Sequence, residues 1–200
     1  MNTTTSTLTT EAVFSDDGLK RYLLKKTWDT SLPKLTIAML APSIADSVAM
    51  DSTTTLVLNN ASTLGFGSVS IVNLFATLGD FSLSAAEPED PENMKAILSE
   101  AKDADVIIYA PGVGKAKLQV FQERSTQVLT ALRPYEKKLK CLTSASGKTR
   151  LLHPLCPSVR KWNIAELRLD ELLSTAVPVE TKSPSKKKGG PKVIKKEVSA

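Results

Sequence analysis

Short apolar runs alternate with segments of helical periodicity along most of the chain. Four runs have the near-continuous apolar character of strands buried on both faces, at residues 34–40, 69–72, 106–109 and 139–142. Helical segments separate them, at residues 53–64, from 90 onward, and at 118–132. This alternation predicts one α/β domain over residues 12–174, a three-layer sandwich with a mostly parallel central sheet.

Local signals refine these elements. Asp90-Pro91-Glu92 is a strong helix start, with an N-cap, a proline at the first position and an acid in the first turn. Residues 14–24, which are interrupted by Gly18, predict a hairpin or edge strands. Asn163 is expected to cap a last helix that ends near Leu173.

Composition narrows the class of protein. The chain has 200 residues and 42% hydrophobic content, so a single globular domain is the natural expectation. Two cysteines do not make a disulfide framework, and the lone His153 excludes a histidine-based metal cluster. There is no apolar run long enough to span a bilayer, and the Thr-rich N-terminus has no signal-peptide pattern. We therefore expect a cytoplasmic protein without membrane partners, or a nuclear one if the host is eukaryotic.

The net charge of +5 comes from one end of the chain. Residues 178–200 hold seven lysines and two glutamates, whereas residues 1–177 hold 19 basic and 19 acidic residues. The lysine-rich segment also contains several Pro and Gly and few apolar residues, so it is expected to be a disordered tail, as are the Thr-rich residues 1–11. A flexible polycation binds nucleic acid nonspecifically, although it could equally serve only to increase solubility.

The candidate chemistry lies where the predicted parallel strands end, because ligands of such sheets bind beyond the carboxyl ends of the strands. Small or polar residues follow all four strands. The candidate site residues are Pro42, Ser43, Asp46, Asp51, Asn73, Phe75, Gly112, Lys115 and His153.

Each of these candidates also has a purely structural interpretation. The Gly112–Lys115 loop can cradle an anion on its backbone N–H groups, but it does not match the Walker pattern and a plain turn is favoured. Asp46 and Asp51 can act as acid and base or hold a cation, yet helix capping explains them at least as well.

The ordered set of motifs resembles a known bacterial and phage family, domain of unknown function sixteen forty-three. The set comprises Tyr22-Leu23-Leu24, Pro42-Ser43-x-Ala45-Asp46, Asp51-Ser52-Thr53, Val72-Asn73-Leu74-Phe75-Ala76, Pro91-Glu92-Asn93 and His153-Pro154-Leu155. The resemblance covers about residues 20–157 and implies no activity. The chain departs from the family pattern at Ala41, at Ala110-Pro111 and at Cys156, where the family usually has Asn, Trp and Tyr.

A weaker resemblance is to the uracil-DNA glycosylase superfamily, in the order Pro42-Ser43, Asn73 and His153-Pro154. It implies that Asn73 hydrogen-bonds a base, that His153 stabilises the departing base and that Phe75 stacks on it, with Asp46 or Asp51 replacing the polar residue that Ala41 lacks. The leading hypothesis is therefore a domain that binds a nucleobase, nucleotide or nucleic acid, acting either as a glycosylase-like enzyme or as a noncatalytic binding module. A small-molecule hydrolase with two aspartates and a metal is the third class. No cofactor is implied, and the sequence does not indicate an oligomeric state.

Overall fold

The computed structural model describes residues 1–43, 48–79, 82, 90–115, 118–147 and 150–174. The strands within this part of the chain are β1 (Thr9–Phe14), β2 (Arg21–Thr27), β3 (Lys34–Met39), β4 (Ser68–Asn73), β5 (Val106–Tyr109), β6 (Leu139–Thr143) and β7 (Asn163–Glu166). The α-helices there are α1 (Ser52–Thr63), α2 (Pro91–Asp103), α3 (Gln119–Ala131) and α4 (Leu169–Ser174). The domain is thus α/β, as the alternating pattern predicts.

All seven strands form one sheet in the order β1-β2-β4-β3-β5-β6-β7. The strand pairs β4–β3, β3–β5 and β5–β6 are parallel, whereas β1–β2, β2–β4 and β6–β7 are antiparallel. The expectation of a mostly parallel sheet is therefore wrong: the sheet is mixed, with antiparallel strands on both sides of a parallel centre. The error arises because β1, β2 and β7 contain charged or polar residues and lack the continuous apolar pattern of the central strands.

Two apolar cores cover the two faces of the sheet. Along β3, Leu35, Ile37 and Met39 belong to a core that contains Val57 and Ala61 of α1. The alternate residue Ala38 belongs to a second core, with residues of α2 and α3. Because successive strand residues point to opposite faces, α1 covers one face and α2 with α3 covers the other.

Two terminal segments differ from the sequence expectation. Residues 163–166, predicted to begin a helix, instead form β7, which pairs with β6, and a helix follows only at Leu169–Ser174. β1 begins at Thr9, so residues 9–11 of the expected disordered arm are part of the sheet. In both places a free strand edge supplies hydrogen-bond partners that local propensity does not reveal.

The predicted capping residues of α1 and α2 are confirmed. Asp51 caps α1 by accepting a hydrogen bond from the Thr54 N–H, at 2.7 Å. Asp90 caps α2 by accepting one from the Asn93 N–H, at 3.0 Å. No helix in the described part of the chain has the length and apolar composition that a membrane crossing requires. The expected lysine-rich tail lies outside the described residues.

Candidate functional site

The parallel centre of the sheet creates a crevice at the ends of β3 and β5. From β3 the chain passes through α1 to β4 on one side, and from β4 it passes through α2 to β5 on the other side of β3. The helices that follow β3 and β5 consequently lie on opposite faces of the sheet, so the loops after these two strands separate. Such a topological switch point is where open α/β sheets bind ligands.

A cavity of about 390 Å³ opens at this point, within the volume range typical of small-molecule sites, ~300–1,000 Å³. We call it the switch-point cavity. The described residues that line it come from the loops after β3, β5 and β6 and are Leu40, Ala41, Pro111, Gly112, Val113, Gly114, Lys115, Leu152, His153 and Cys156. Of the predicted site residues, Gly112, Lys115 and His153 therefore share this cavity.

The position of His153 in this wall depends on its contact with Gly112. The Gly112 N–H donates to the Leu151 carbonyl at 3.1 Å, which joins the loop after β5 to the loop after β6. A Cβ atom on Gly112 would lie 3.2 Å from the His153 Cβ, and the Gly112 φ of +84° also favours glycine. Glycine at this position therefore allows the two loops to approach closely enough to place His153 at the cavity.

His153 is held as a neutral hydrogen-bond donor. Its Nδ1 accepts a hydrogen bond from the Leu155 N–H at 3.2 Å, so in the neutral ring the proton is on Nε2. Burial lowers the pKa of His153, and the negative charge of Asp51 opposes this effect without cancelling it. The imidazole is therefore uncharged near neutral pH and offers one N–H group.

Asp51 links His153 to a buried charge. Burial raises the pKa of Asp51, but hydrogen bonds from Ser43 and Thr54, together with the positive charge of Arg21, outweigh burial and hold that pKa below its usual value. Arg21 is 1% exposed, and its Nη1 lies 3.4 Å from the Ser43 carbonyl oxygen. The structure thus brings Ser43, Asp51 and His153 into one electrostatic cluster with Arg21.

Sequence reasoning missed Arg21 and gave Cys156 no role. A faint signal for Arg21 exists, since it lies two residues before the buried Leu23 and so on the same face of the β2 strand pattern. Cys156 lines the cavity, and a hydrogen bond with the Ser158 hydroxyl lowers the pKa of its thiol. No residue pattern in the sequence links either side chain to the switch point.

Asn73 lies one strand away from the switch point and does not line the cavity. It ends β4, which lies beside β3 on the side away from β5. Val69 and Ile71 contribute to the core beneath α1, so Asn73, two residues further, is on the α1 face as well. The side chain is 1% exposed, and its Nδ2 has no hydrogen-bond partner among the residues that the structure describes.

The remaining predicted residues divide between structural and undescribed positions. Phe75 is 3% exposed and belongs to the core beneath α2 and α3, so no free ring face is available to stack on a ligand. Pro42 is buried in the turn after β3. Asp46 lies outside the described residues. Among those described, no group of three or more His, Cys, Asp or Glu side chains has the arrangement of a metal site.

Fold and site together define an α/β protein with a ligand-sized cavity at the switch point of a mixed sheet. A family model described as "Protein of unknown function (DUF1643)" matches residues 21–155, more than half of the 200 residues. The chain belongs to this family. The comparisons with curated proteins and with solved structures found no match.

Proposed function

We propose that this chain binds a nucleobase or nucleotide in the switch-point cavity, as a binding module. The observation that carries the proposal is the place of His153, which lines the cavity and interacts electrostatically with Asp51. A histidine held neutral in a cavity wall offers a directed N–H group without a net charge. Such a group suits the carbonyl and ring-nitrogen acceptors on the edge of a base.

The rest of the cavity wall has the character that a flat, weakly polar ring requires. Leu40, Pro111, Val113 and Leu152 contribute apolar surface, and Ala41 contributes a methyl group. Ligand sites of this size are typically apolar with a few polar groups that orient the ligand. Here His153 supplies the orienting group, and the apolar residues supply contact area.

Ala41 favours binding over hydrolysis. It lines the cavity at the place where the glycosylase resemblance requires a polar residue that activates water. A methyl group neither accepts a proton nor positions a water molecule, and Asp51 already caps α1. The noncatalytic interpretation therefore agrees better with the described residues.

A glycosylase-like hydrolase is the second candidate, because the loop after β3 and His153 do meet at one cavity. If it is correct, Ala41→Asn should raise the rate at which abasic sites form in duplexes that carry modified bases. If neither the unchanged chain nor Ala41→Asn forms abasic sites with any substrate, the hydrolytic candidate is excluded.

The two cysteines provide a direct test of binding. Cys156 lines the cavity and carries an activated thiol, whereas Cys141 is fully buried and serves as an internal control. We expect millimolar nucleosides or nucleotides to slow alkylation of Cys156 by iodoacetamide, measured by mass spectrometry.

Two substitutions of His153 separate its N–H group from its shape. His153→Phe keeps a ring but removes the donor, so it should lose the protection of Cys156. His153→Gln keeps a terminal N–H and should retain part of it. If no nucleoside or nucleotide protects Cys156 in the unchanged chain, or if His153→Phe is protected equally well, the proposal is wrong.

A further inference from the structure

The loop that follows β5 contains three successive backbone N–H groups that have no hydrogen-bond acceptor among the described residues. Val113, Gly114 and Lys115 line the switch-point cavity and are exposed. Among the hydrogen bonds of the described residues, none uses the N–H groups of these three residues as donors. The preceding Gly112 N–H, by contrast, is bonded to Leu151.

The surroundings of these N–H groups are electropositive. Lys115 adds a full positive charge, and no carboxylate of the described residues lies within ion-pair distance of it. The start of α3 is one turn away, because the Leu118 N–H donates to the Lys115 carbonyl at 3.0 Å. This helix start has no side-chain cap and no acidic residue in its first turn, so the positive end of its dipole is not neutralised.

We infer that residues 113–115 form an anion site that holds the phosphate of a nucleoside phosphate whose base lies against His153. Successive backbone N–H groups in a turn with a left-handed glycine form concave anion sites in many proteins. A lysine beside them is a common phosphate partner. The inference rests on the proposed function, and it specifies the ligand as a phosphorylated nucleoside instead of a free base or nucleoside.

The loop also offers a matched pair of substitutions that separates backbone donation from bulk. A Cβ atom on Gly114 would meet no atom within 4 Å, and its φ is not in the left-handed region. Gly114→Ala therefore keeps the N–H and meets no steric clash, so it measures the effect of the added methyl group alone. Gly114→Pro removes that N–H and should weaken phosphate binding about tenfold, the effect of losing one hydrogen bond to a charged group.

A second pair tests the charge. Lys115→Ala should weaken binding of inorganic phosphate and pyrophosphate by about tenfold or more, since it removes the cation beside the turn. Lys137→Ala removes an equal charge from an exposed position just before β6, at the end of the strands that lies opposite the cavity. It should leave binding unchanged. Melting temperatures of all four variants show whether each one folds.

The experiment is isothermal titration calorimetry with inorganic phosphate, pyrophosphate, nucleosides and the matching nucleoside mono- and diphosphates. The inference predicts that nucleoside phosphates bind more tightly than nucleosides and that only Gly114→Pro and Lys115→Ala remove this advantage. If nucleosides and their phosphates bind equally well, the anion site is wrong while the proposed function stands. If phosphate and pyrophosphate bind through the loop but nucleosides do not bind, the anion site stands and the proposed function is wrong. If none of these compounds binds, both are overturned.

Discussion

At the scale of single residues, His153 is subject to two opposing effects. Burial in the cavity wall favours the neutral ring, whereas the Asp51 carboxylate favours the charged ring, and burial is the larger effect. The neutral donor that the proposed function uses is therefore a property of the fold. The fold extends the neutral form to pH values below the ordinary pKa, where the ring of the unfolded chain is protonated.

This difference predicts how stability depends on pH. Because the pKa of His153 is lowered in the fold, the unfolded chain takes up the proton first as the pH falls. The stability that the neutral His153 contributes to the fold is complete above the ordinary pKa of 6.5. It is lost as the pH falls from there through the folded pKa. Urea unfolding between about pH 5 and 8 should show this loss, at most ~1.4 kcal/mol per pH unit. His153→Gln should remove this slope, and an unchanged slope would contradict the assignment to His153.

Two buried asparagines provide a second test at this scale. The Asn93 Nδ2 donates to the carbonyls of Asn73 and Leu74, both at 3.0 Å, whereas the Asn73 Nδ2 has no partner in the described part of the chain. Asn93→Leu should therefore lower the free energy of unfolding by about 1–3 kcal/mol, since it leaves buried carbonyls without these donors. Asn73→Leu should lower it by less, because no hydrogen bond from the Asn73 Nδ2 is found among the described residues. Equal losses in urea unfolding would contradict the difference in their bonding.

At the scale of elements, the starts of α1 and α2 are built alike but have different surroundings. Asp90 caps α2 and pairs with Lys20 at 3.0 Å, and the Lys20 side chain is 29% exposed. Asp51 caps α1 beside the buried Arg21. Removing the Asp51 carboxylate consequently affects a buried charge as well as a cap.

We predict that Asp90→Ala lowers the free energy of unfolding by about 1 kcal/mol, the usual cost of a lost cap, and that Asp51→Ala lowers it by more, because it also removes the negative charge near Arg21. Asp51→Asn, which retains a capping oxygen, should lie between them. Chemical denaturation of the three variants decides the order. If Asp51→Ala lowers the free energy of unfolding no more than Asp90→Ala does, the buried charge of Arg21 does not depend on Asp51.

The same scale shows what could be predicted from the sequence. The central strands and the caps Asp51 and Asp90 were recoverable, because continuous apolar runs and capping residues act locally. β7 was not, since residues 163–166 become a strand only when the edge of β6 is beside them. Of the candidate residues, Gly112, Lys115 and His153 line one cavity, whereas the order of the strands places Asn73 behind β3 and outside that cavity.

At the scale of the whole molecule, charge is divided unevenly along the chain. Residues 1–177 carry no net charge, and residues 178–200 carry +5. We propose, from charge alone, that the lysine-rich segment supplies nonspecific affinity for nucleic acid while the switch-point cavity supplies specificity. The two activities should therefore be separable.

Truncation after Val177 tests this separation. Full-length protein should bind labelled duplex DNA with a log–log salt slope on the order of 3 to 6, given about 0.9 for each phosphate neutralised. The truncated chain should lose most of that slope and weaken evenly across sequences, while its nucleotide binding is unchanged. A full-length chain in which the seven lysines are replaced by glutamine controls for length. A truncated chain that keeps the full slope would place the phosphate contacts on the domain instead.

The central claim is that the neutral imidazole of His153 donates its Nε2–H to a base in the switch-point cavity. His153 is the only histidine, so the imidazole ¹⁵N resonances in an NMR spectrum of the labelled protein report this residue alone. We predict the Nε2–H tautomer at neutral pH in the free protein, and a downfield shift of that proton when a nucleotide is titrated to saturation. A protonated ring or the Nδ1–H tautomer in the free protein, or an Nε2–H resonance that does not move with nucleotide, would contradict the account.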